Sequence, residues 1–238
     1  AYQYIADSPN QGKTLVIKAK RQVGKNFLAS AVLLNYCSLG KTNVLLEPSL
    51  DQCRRVFKQL TKALSRSGLL ESCNASTLTI EFKNGAEILF KSAGSGDNLR
   101  GFTVTGVLII DEAAFIEDDI IETILPTIDA NNANLMIIST PLFTSGYFYE
   151  EYISESQNKL VLDWNDYDTS CFLSATRLEE YRRRLSPNKF KSEYLGQFIT
   201  ENGLLFNNLQ NCIGEPSEVG KVYIGIDFAT GSSADYNS

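Results

Sequence analysis

TLVIKAKRQVGKNFLASAVLLNYCSL, residues 14–39, joins a short β-type run to a loop and then to a long apolar stretch. Residues 14–19 predict a strand, and residues 25–39 predict a helix that Gly40 ends. A phosphate-binding loop has the form G-x-x-x-x-G-K-[ST]. Its backbone N–H groups face the phosphates, its lysine reaches the β and γ oxygens, and its hydroxyl serves Mg2+. Gly24 and Lys25 fit that form, and the helix behind them offers a positive N-terminus. Ala19 stands where the first glycine belongs, and Asn26 where the hydroxyl belongs. By itself the pattern also suits an ordinary strand-to-helix turn.

Outward from this unit, strands and helices alternate. NVLLEPS (43–49) predicts a strand, and Val56, Phe57, Leu60 and Leu64 mark a helix over 51–67. TLTIEFKNGAEILFKS (77–92) alternates on both sides of Asn84-Gly85, a two-residue hairpin signal. VTGVLII (104–110) and NLMIIST (134–140) predict buried strands, with helices at IEDDIIETILPTI, SGYFYEEYI and ATRLEEYRRRLS and a strand at KLVLDW. This order indicates an α/β fold whose sheet is mostly parallel, with an antiparallel hairpin appended. Near residue 196 the composition turns to Gly, Asn and Pro, which predicts a linker over 196–220. The segment 221–238 then begins a fresh strand.

Composition narrows the chemistry. The 238 residues include no histidine, which excludes Ser-His and Cys-His nucleophile pairs and every zinc site except all-Cys or carboxylate ones. The five cysteines are scattered without a C-x-x-C pair and read as reduced core thiols. No apolar run is long enough to suggest a membrane span, and the opening residues do not read as a leader. Catalysis is left to carboxylates, Lys, Arg and bound metal. The net charge of −6 is uneven, since residues 111–122 hold six acids and no base, whereas 177–191 hold six bases. That basic run reads first as a solvated helix face and second as a surface for DNA phosphates.

In VLIIDEAAF (107–115) a buried strand delivers Asp111 and Glu112 at its end. A carboxylate there suits Mg2+, directly or through water, and a neighbouring one suits a general base for nucleotide hydrolysis. Ser139-Thr140-Pro141 closes the next strand and supplies two hydroxyls, which would lie beside the phosphate loop if the two strands are neighbours.

In chain order these motifs resemble the large terminase subunit of tailed bacteriophages, an ATP-driven DNA-packaging motor with an attached nuclease. Tyr2-Gln3 resembles its adenine-reading Q-motif, and Lys20-Arg21-Gln22-Val23-Gly24-Lys25-Asn26 its R-Q-x-G-K form of Walker A. That form often lacks the first glycine, which covers Ala19 but not Asn26. Leu99-Arg100-Gly101, LIIDEAAF and STP are similar to the Arg-Gly, Walker B and coupling motifs, and residues 189–206 to the segment between ATPase and nuclease. GIDFATGSSADY (225–236) resembles the first strand of the RNase H-like nuclease, with Asp227 and Asp235 in metal-binding positions.

The resemblance implies an ATPase domain over 1–195 with a P-loop, RecA-like sheet and a nuclease that 221–238 only begins. It implies ATP and Mg2+ as cofactors, Gln3, residues 20–26, Ser139 and Thr140 as nucleotide contacts, and Asp111 with Asn26 at the metal. Glu112 would be the general base, Arg21 an arginine finger in cis and Arg100 one in trans. Asp227 and Asp235 would form an incomplete nuclease site. Expected partners are double-stranded DNA, a portal protein and a small terminase subunit, with a ring on the portal and a monomer in isolation, in the host cytoplasm and away from membranes. Two alternatives stand beside this reading: a superfamily-2-like helicase fragment, and a nucleotide-binding scaffold whose ATPase is weakened by Asn26.

Overall fold

Four strands buried on both faces form the middle of the sheet: β1 (Thr14–Lys18), β2 (Thr42–Glu47), β6 (Val107–Asp111) and β7 (Asn134–Ser139). Strands covered on both sides need continuous apolar sequence, which is what TLVIK, NVLLE, VLIID and NLMIIS provide. The computed structural model describes residues 2–6, 9–94, 99–166 and 174–200, all within one compact unit, Ala1–Glu201.

Eight strands lie in the order β3-β4-β5-β2-β6-β7-β1-β8, where β3 is Leu70–Asn74, β4 Thr79–Phe82, β5 Glu87–Ser92 and β8 Lys159–Asp163. From β5 to β8 every neighbouring pair is parallel, while β4 runs antiparallel to β3 and β5. The expected α/β class, mostly parallel with antiparallel strands at one edge, is therefore found. On one face Leu15, Ile17, Leu45, Ile109, Met136 and Ile138 pack with α1 (Tyr2–Ala6), α2 (Lys25–Ser38) and α3 (Leu50–Leu64). On the other, Val16, Leu46, Leu108, Ile110, Leu135 and Ile137 pack with α4 (Asp118–Ile124) and α5 (Tyr147–Ile153). Helices α6 (Ala175–Arg184) and α7 (Pro187–Leu195) complete the described residues.

Several local expectations differ from the structure. The turn at Asn84-Gly85 has three residues rather than two: Gly85 N–H donates to the Phe82 carbonyl, Phe82 N–H to the Ala86 carbonyl, and within the turn only Gly85 has a positive φ, 82°. Asn84 is instead held by its side chain, which donates to the Cys37 carbonyl at 2.8 Å. The predicted helix over 116–128 stops as an α-helix at Ile124, because Pro126 cannot supply the next turn's N–H and a 3-10 segment follows. No sequence signal announces β3, since four of its five residues are exposed and no alternation marks it. Among the thiols, Cys37 and Cys53 are buried as expected, but Cys73 on β3 is exposed.

The boundary at 196 moves as well. Ile199 N–H donates to the Leu142 carbonyl and its own carbonyl accepts from Thr144, while Asn165 donates to the Gly196 carbonyl. Phe198 sits with its ring centroid 4.9 Å from Tyr149, 5.2 Å from Tyr152 and 5.9 Å from Phe148. Residues 196–200, whose composition suggests a linker, thus join the body because one aromatic finds a built pocket. No helix among the described residues is long and apolar enough to cross a membrane.

Candidate active site

β7 lies between β1 and β6, so the loop after β1, the acids after β6 and the hydroxyls after β7 all emerge at the same end of the sheet. Ala19 N–H bonds to the Ser139 carbonyl and ties the loop to that end. Gln22 and Gly24 take positive φ values of 64° and 93°, which turns residues 20–24 sharply into α2. Gly24 caps α2 without a side chain, and its carbonyl takes the N–H groups of Phe27 and Leu28, so no side chain caps the N–H groups of Lys25 and Asn26 at the helix start, where an anion is favoured.

Lys25 is buried at the start of α2, its Nζ 2.9 Å from Glu112 Oε1 and 3.3 Å from Thr140 Oγ1. Thr140 donates its hydroxyl to Glu112 Oε2 at 2.8 Å, and its N–H reaches the same oxygen at 3.3 Å. Glu112 holds a left-handed backbone, φ 51°, uncommon for a residue with a side chain and a sign of a site that fixes its geometry. Ser139 serves the turn instead, since its Oγ accepts from Ala114 N–H and donates to the Thr140 carbonyl.

Asp111 is 2% exposed and accepts from Glu112 N–H at 2.8 Å. Burial, helped by the Glu112 charge and opposed by Lys25, raises it to about 7. Glu47, which in sequence is only the end of a strand, is also 2% exposed, and its Oε1 has no hydrogen-bond partner among the described residues. Burial, then the charges of Asp111 and Glu112, push it up to about 9 against Arg55 and Lys25.

Arg21, Pro48, Gln52, Glu112, Phe115, Thr140 and Glu193 line a cavity of about 340 Å³. Glu193, on α7, is a second residue that sequence reasoning misses. It binds the Arg21 guanidinium at 2.7 Å, and its carbonyl accepts from Arg21 N–H. The helix start is readable from Ser186-Pro187 and its stop from Gly196, but the partner of Glu193 is not. Lys20 and Val23 are half-buried in the loop, while Gln22 and Asn26 are exposed.

Two other residues lie apart from this cavity. Arg100 is exposed and lines a separate cleft of about 720 Å³ with Asp119 and Glu122. Gln3 is exposed on α1, whose Ile5 and Ala6 carbonyls bond Tyr36 and Asn35 in the last turns of α2 and Asn134 at the start of β7. Those contacts set α1 at the opposite end of the strands from the loop, so Gln3 is not brought to residues 20–26. Asp227 and Asp235 lie outside the described residues.

Among the described residues no group of three or more His, Cys, Asp or Glu side chains could hold a metal ion by themselves. Mg2+ needs no such cluster, because it keeps waters and shares one or two carboxylates with substrate phosphates. Asp111, Asn26 and the unpaired Glu47 oxygen are hard oxygen donors of the right kind, so the residues fit such an ion.

Comparison with known proteins gives a consistent result. The family model described as terminase large subunit, T4likevirus-type, N-terminal, matches residues 16–210. A large terminase subunit of Escherichia phage T5 is 28% identical over 198 residues, covering 79% of this chain and 44% of that protein. One of Thermus virus P23-45 is 27% identical, with 83% and 48% covered. The chain thus spans about half the length of the curated relatives it matches. The fold is shared with the large terminase ATPase domain of Thermus phage P74-26, at TM-score 0.66 and 23% identity over 83% of this chain and 92% of that one. It is shared also with the large terminase of another thermophilic bacteriophage, solved in complex with ADP, at TM-score 0.62 and 21% identity over 81% and 50%.

Proposed function

We propose, for a chain that belongs to the T4-like-virus-type family of large terminase subunits through that family's N-terminal part, that it is the ATP-hydrolysing domain of a motor driving double-stranded DNA into a viral procapsid. The observation that carries this reading is the Lys25–Thr140–Glu112 constellation at a helix start that no side chain caps. Residues 20–26 wrap the triphosphate, and Lys25 takes its β and γ oxygens. Asp111 and Asn26 would hold Mg2+, which would supply positive charge to the same oxygens.

The residues imply an order of events. Without nucleotide, Lys25 and Glu112 neutralise each other. An arriving triphosphate competes for the Lys25 ammonium and releases Glu112 on one side. Thr140 keeps its hydroxyl and N–H on Glu112 Oε2, which leaves Oε1 to accept a proton from the attacking water. The base is masked until the substrate unmasks it. Arg21 stabilises the transferring group in cis, and Arg100, away from its own cavity, suits a neighbouring subunit's site in a ring.

The body over 1–195 with its extension to 200 is the ATPase domain, and 221–238 opens an RNase H-like nuclease to which Asp227 and Asp235 would contribute metal ligands. A portal protein, a small terminase subunit and the host cytoplasm complete the assignment, each resting on family membership. ATP turnover and nucleotide affinity of the parent against Lys25→Ala test the core of this reading. The variant is expected to lose both, and unchanged turnover would remove the phosphate-loop assignment.

A further inference from the structure

We propose that Glu47 is a positioning residue of the nucleotide site, its carboxylate accepting hydrogen bonds from the water shell of the divalent cation beside Asp111. The inference rests on the reading of residues 20–26 and Asp111 as a metal–nucleotide site and extends it by one residue.

Register sets the placement. Strands β2 and β6 are parallel neighbours with Leu46 opposite Ile110, and Glu47 and Asp111 each follow by one residue. Two residues back on the same strands, Leu45 and Ile109 belong to the core under α2 and α3. Side chains alternate along a strand, so Glu47 and Asp111 leave the sheet on that same face, next to the start of α2. Glu47 is the second carboxylate of a pair that the sheet itself aligns.

Its chemistry is otherwise unexplained. A buried polar atom is normally hydrogen-bonded, because leaving it unsatisfied costs stability. Glu47 Oε1 is unsatisfied at 2% residue exposure. Packing alone would be served better by an apolar residue of the same size. Asp111 spends one oxygen on Glu112 N–H, and so offers little to the several waters that Mg2+ retains. Those waters are donors in need of acceptors, and Glu47 Oε1 is a buried carboxyl oxygen without a partner among the described residues.

The test compares ADP binding with Mg2+ and with EDTA by calorimetry, for the parent, Glu47→Gln and Glu47→Asp. Outer-shell partners of metal sites are typically worth about 10–100-fold in metal affinity. Glu47→Gln is therefore expected to keep the affinity measured in EDTA while losing about tenfold or more of the gain that Mg2+ brings. Glu47→Asp, which keeps the charge, should restore part of it, an outcome that a merely structural role would not produce. Should Glu47→Gln fail to fold, Glu47→Met, apolar and of similar volume, is read in the same way. A full Mg2+ gain in the Gln or Met variant overturns the inference while the nucleotide site stands. A parent that binds no ADP in either condition overturns both.

Discussion

Arg21 and Glu193 are joined twice, by a 2.7 Å ion pair between side chains and by a backbone bond from Arg21 N–H to the Glu193 carbonyl. The loop over residues 20–24 is thereby tied to α7, the last helix of the described body. Glu193 holds only Nη1 of the guanidinium, which leaves its other N–H groups available to a phosphoryl oxygen. The Arg21 side chain is 55% exposed and that of Glu193 17%, so water screens the pair chiefly from the Arg21 side. Arg21→Ala is expected to cut ATP turnover by roughly 10³, while Glu193→Ala leaves it near the parent's. Equal losses in the two variants would mean that Arg21 acts only by holding α7.

Glu112→Gln separates binding from chemistry. Gln keeps an acceptor for Thr140 but cannot take a proton. ADP affinity should hold while single-turnover hydrolysis falls by about 10² to 10⁴. Hydrolysis at the parent's rate would remove Glu112 as the base.

The buried carboxylates predict an unusual dependence of stability on pH. In the folded, metal-free chain Glu47 keeps its proton to about 9 and Asp111 to about 7, whereas unfolded both ionise near pH ~4. Above that, the folded chain holds protons that the unfolded chain has released. The contribution of these groups is therefore full below about pH 4 and is lost as pH rises through their folded values. Asp111 and Glu112 oppose ionisation of Glu47, and Arg55 and Lys25 favour it. In EDTA, the thermal midpoint of Glu47→Gln minus that of the parent should grow as pH is raised from about 5 to about 9. A difference independent of pH would show that Glu47 is ionised throughout.

Asn26 is exposed in the first turn of α2, where the phosphate-loop pattern has a hydroxyl. Its amide oxygen lies one atom further from the backbone than a Ser or Thr oxygen, and Mg2+ demands near-octahedral geometry at about 2.0–2.1 Å. Asn26→Thr and Asn26→Ser should raise turnover at limiting Mg2+, read from a Mg2+ titration. Unchanged or lower turnover in both would mean that the loop has adapted to Asn.

At the far end of the strands, Asn134 donates to Tyr36 Oη at 2.6 Å, and Tyr36 donates to the Ile5 carbonyl at 2.6 Å. Asn134 also reaches that carbonyl at 3.3 Å, so Tyr36→Phe does not orphan it. A loss of about 1–2 kcal/mol by denaturant melting is expected, with ATP turnover unchanged. A turnover defect would show that α1 communicates with the loop.

What is legible in the sequence follows from how each residue is held. Lys25, Glu112 and Thr140 stand beside apolar runs that two-sided burial forces to be continuous, so each run and its abrupt polar end are visible. Glu47 ends a run of the same kind, yet Pro48-Ser49 blurs the boundary and the acid reads as strand. The roles of Glu193 and Phe198 depend on what faces them across the fold, and no local pattern encodes that. Gln3 shows the converse, because its likeness to a Q-motif suggests a place at the loop while the docking of α1 against Asn35, Tyr36 and Asn134 carries it elsewhere. β3 has no buried face to impose a period.

The seating of Phe198 and Ile199 has a mechanical consequence. Tension reaching Thr200 along the backbone would not be spent on slack chain. It would pass through the bonds of Ile199 with Leu142 and Thr144, into the short segment that follows Thr140, the residue that holds Glu112. Pulling on this chain and turning over at Glu112 would share one short path, so an external load should register as a change in hydrolysis rate.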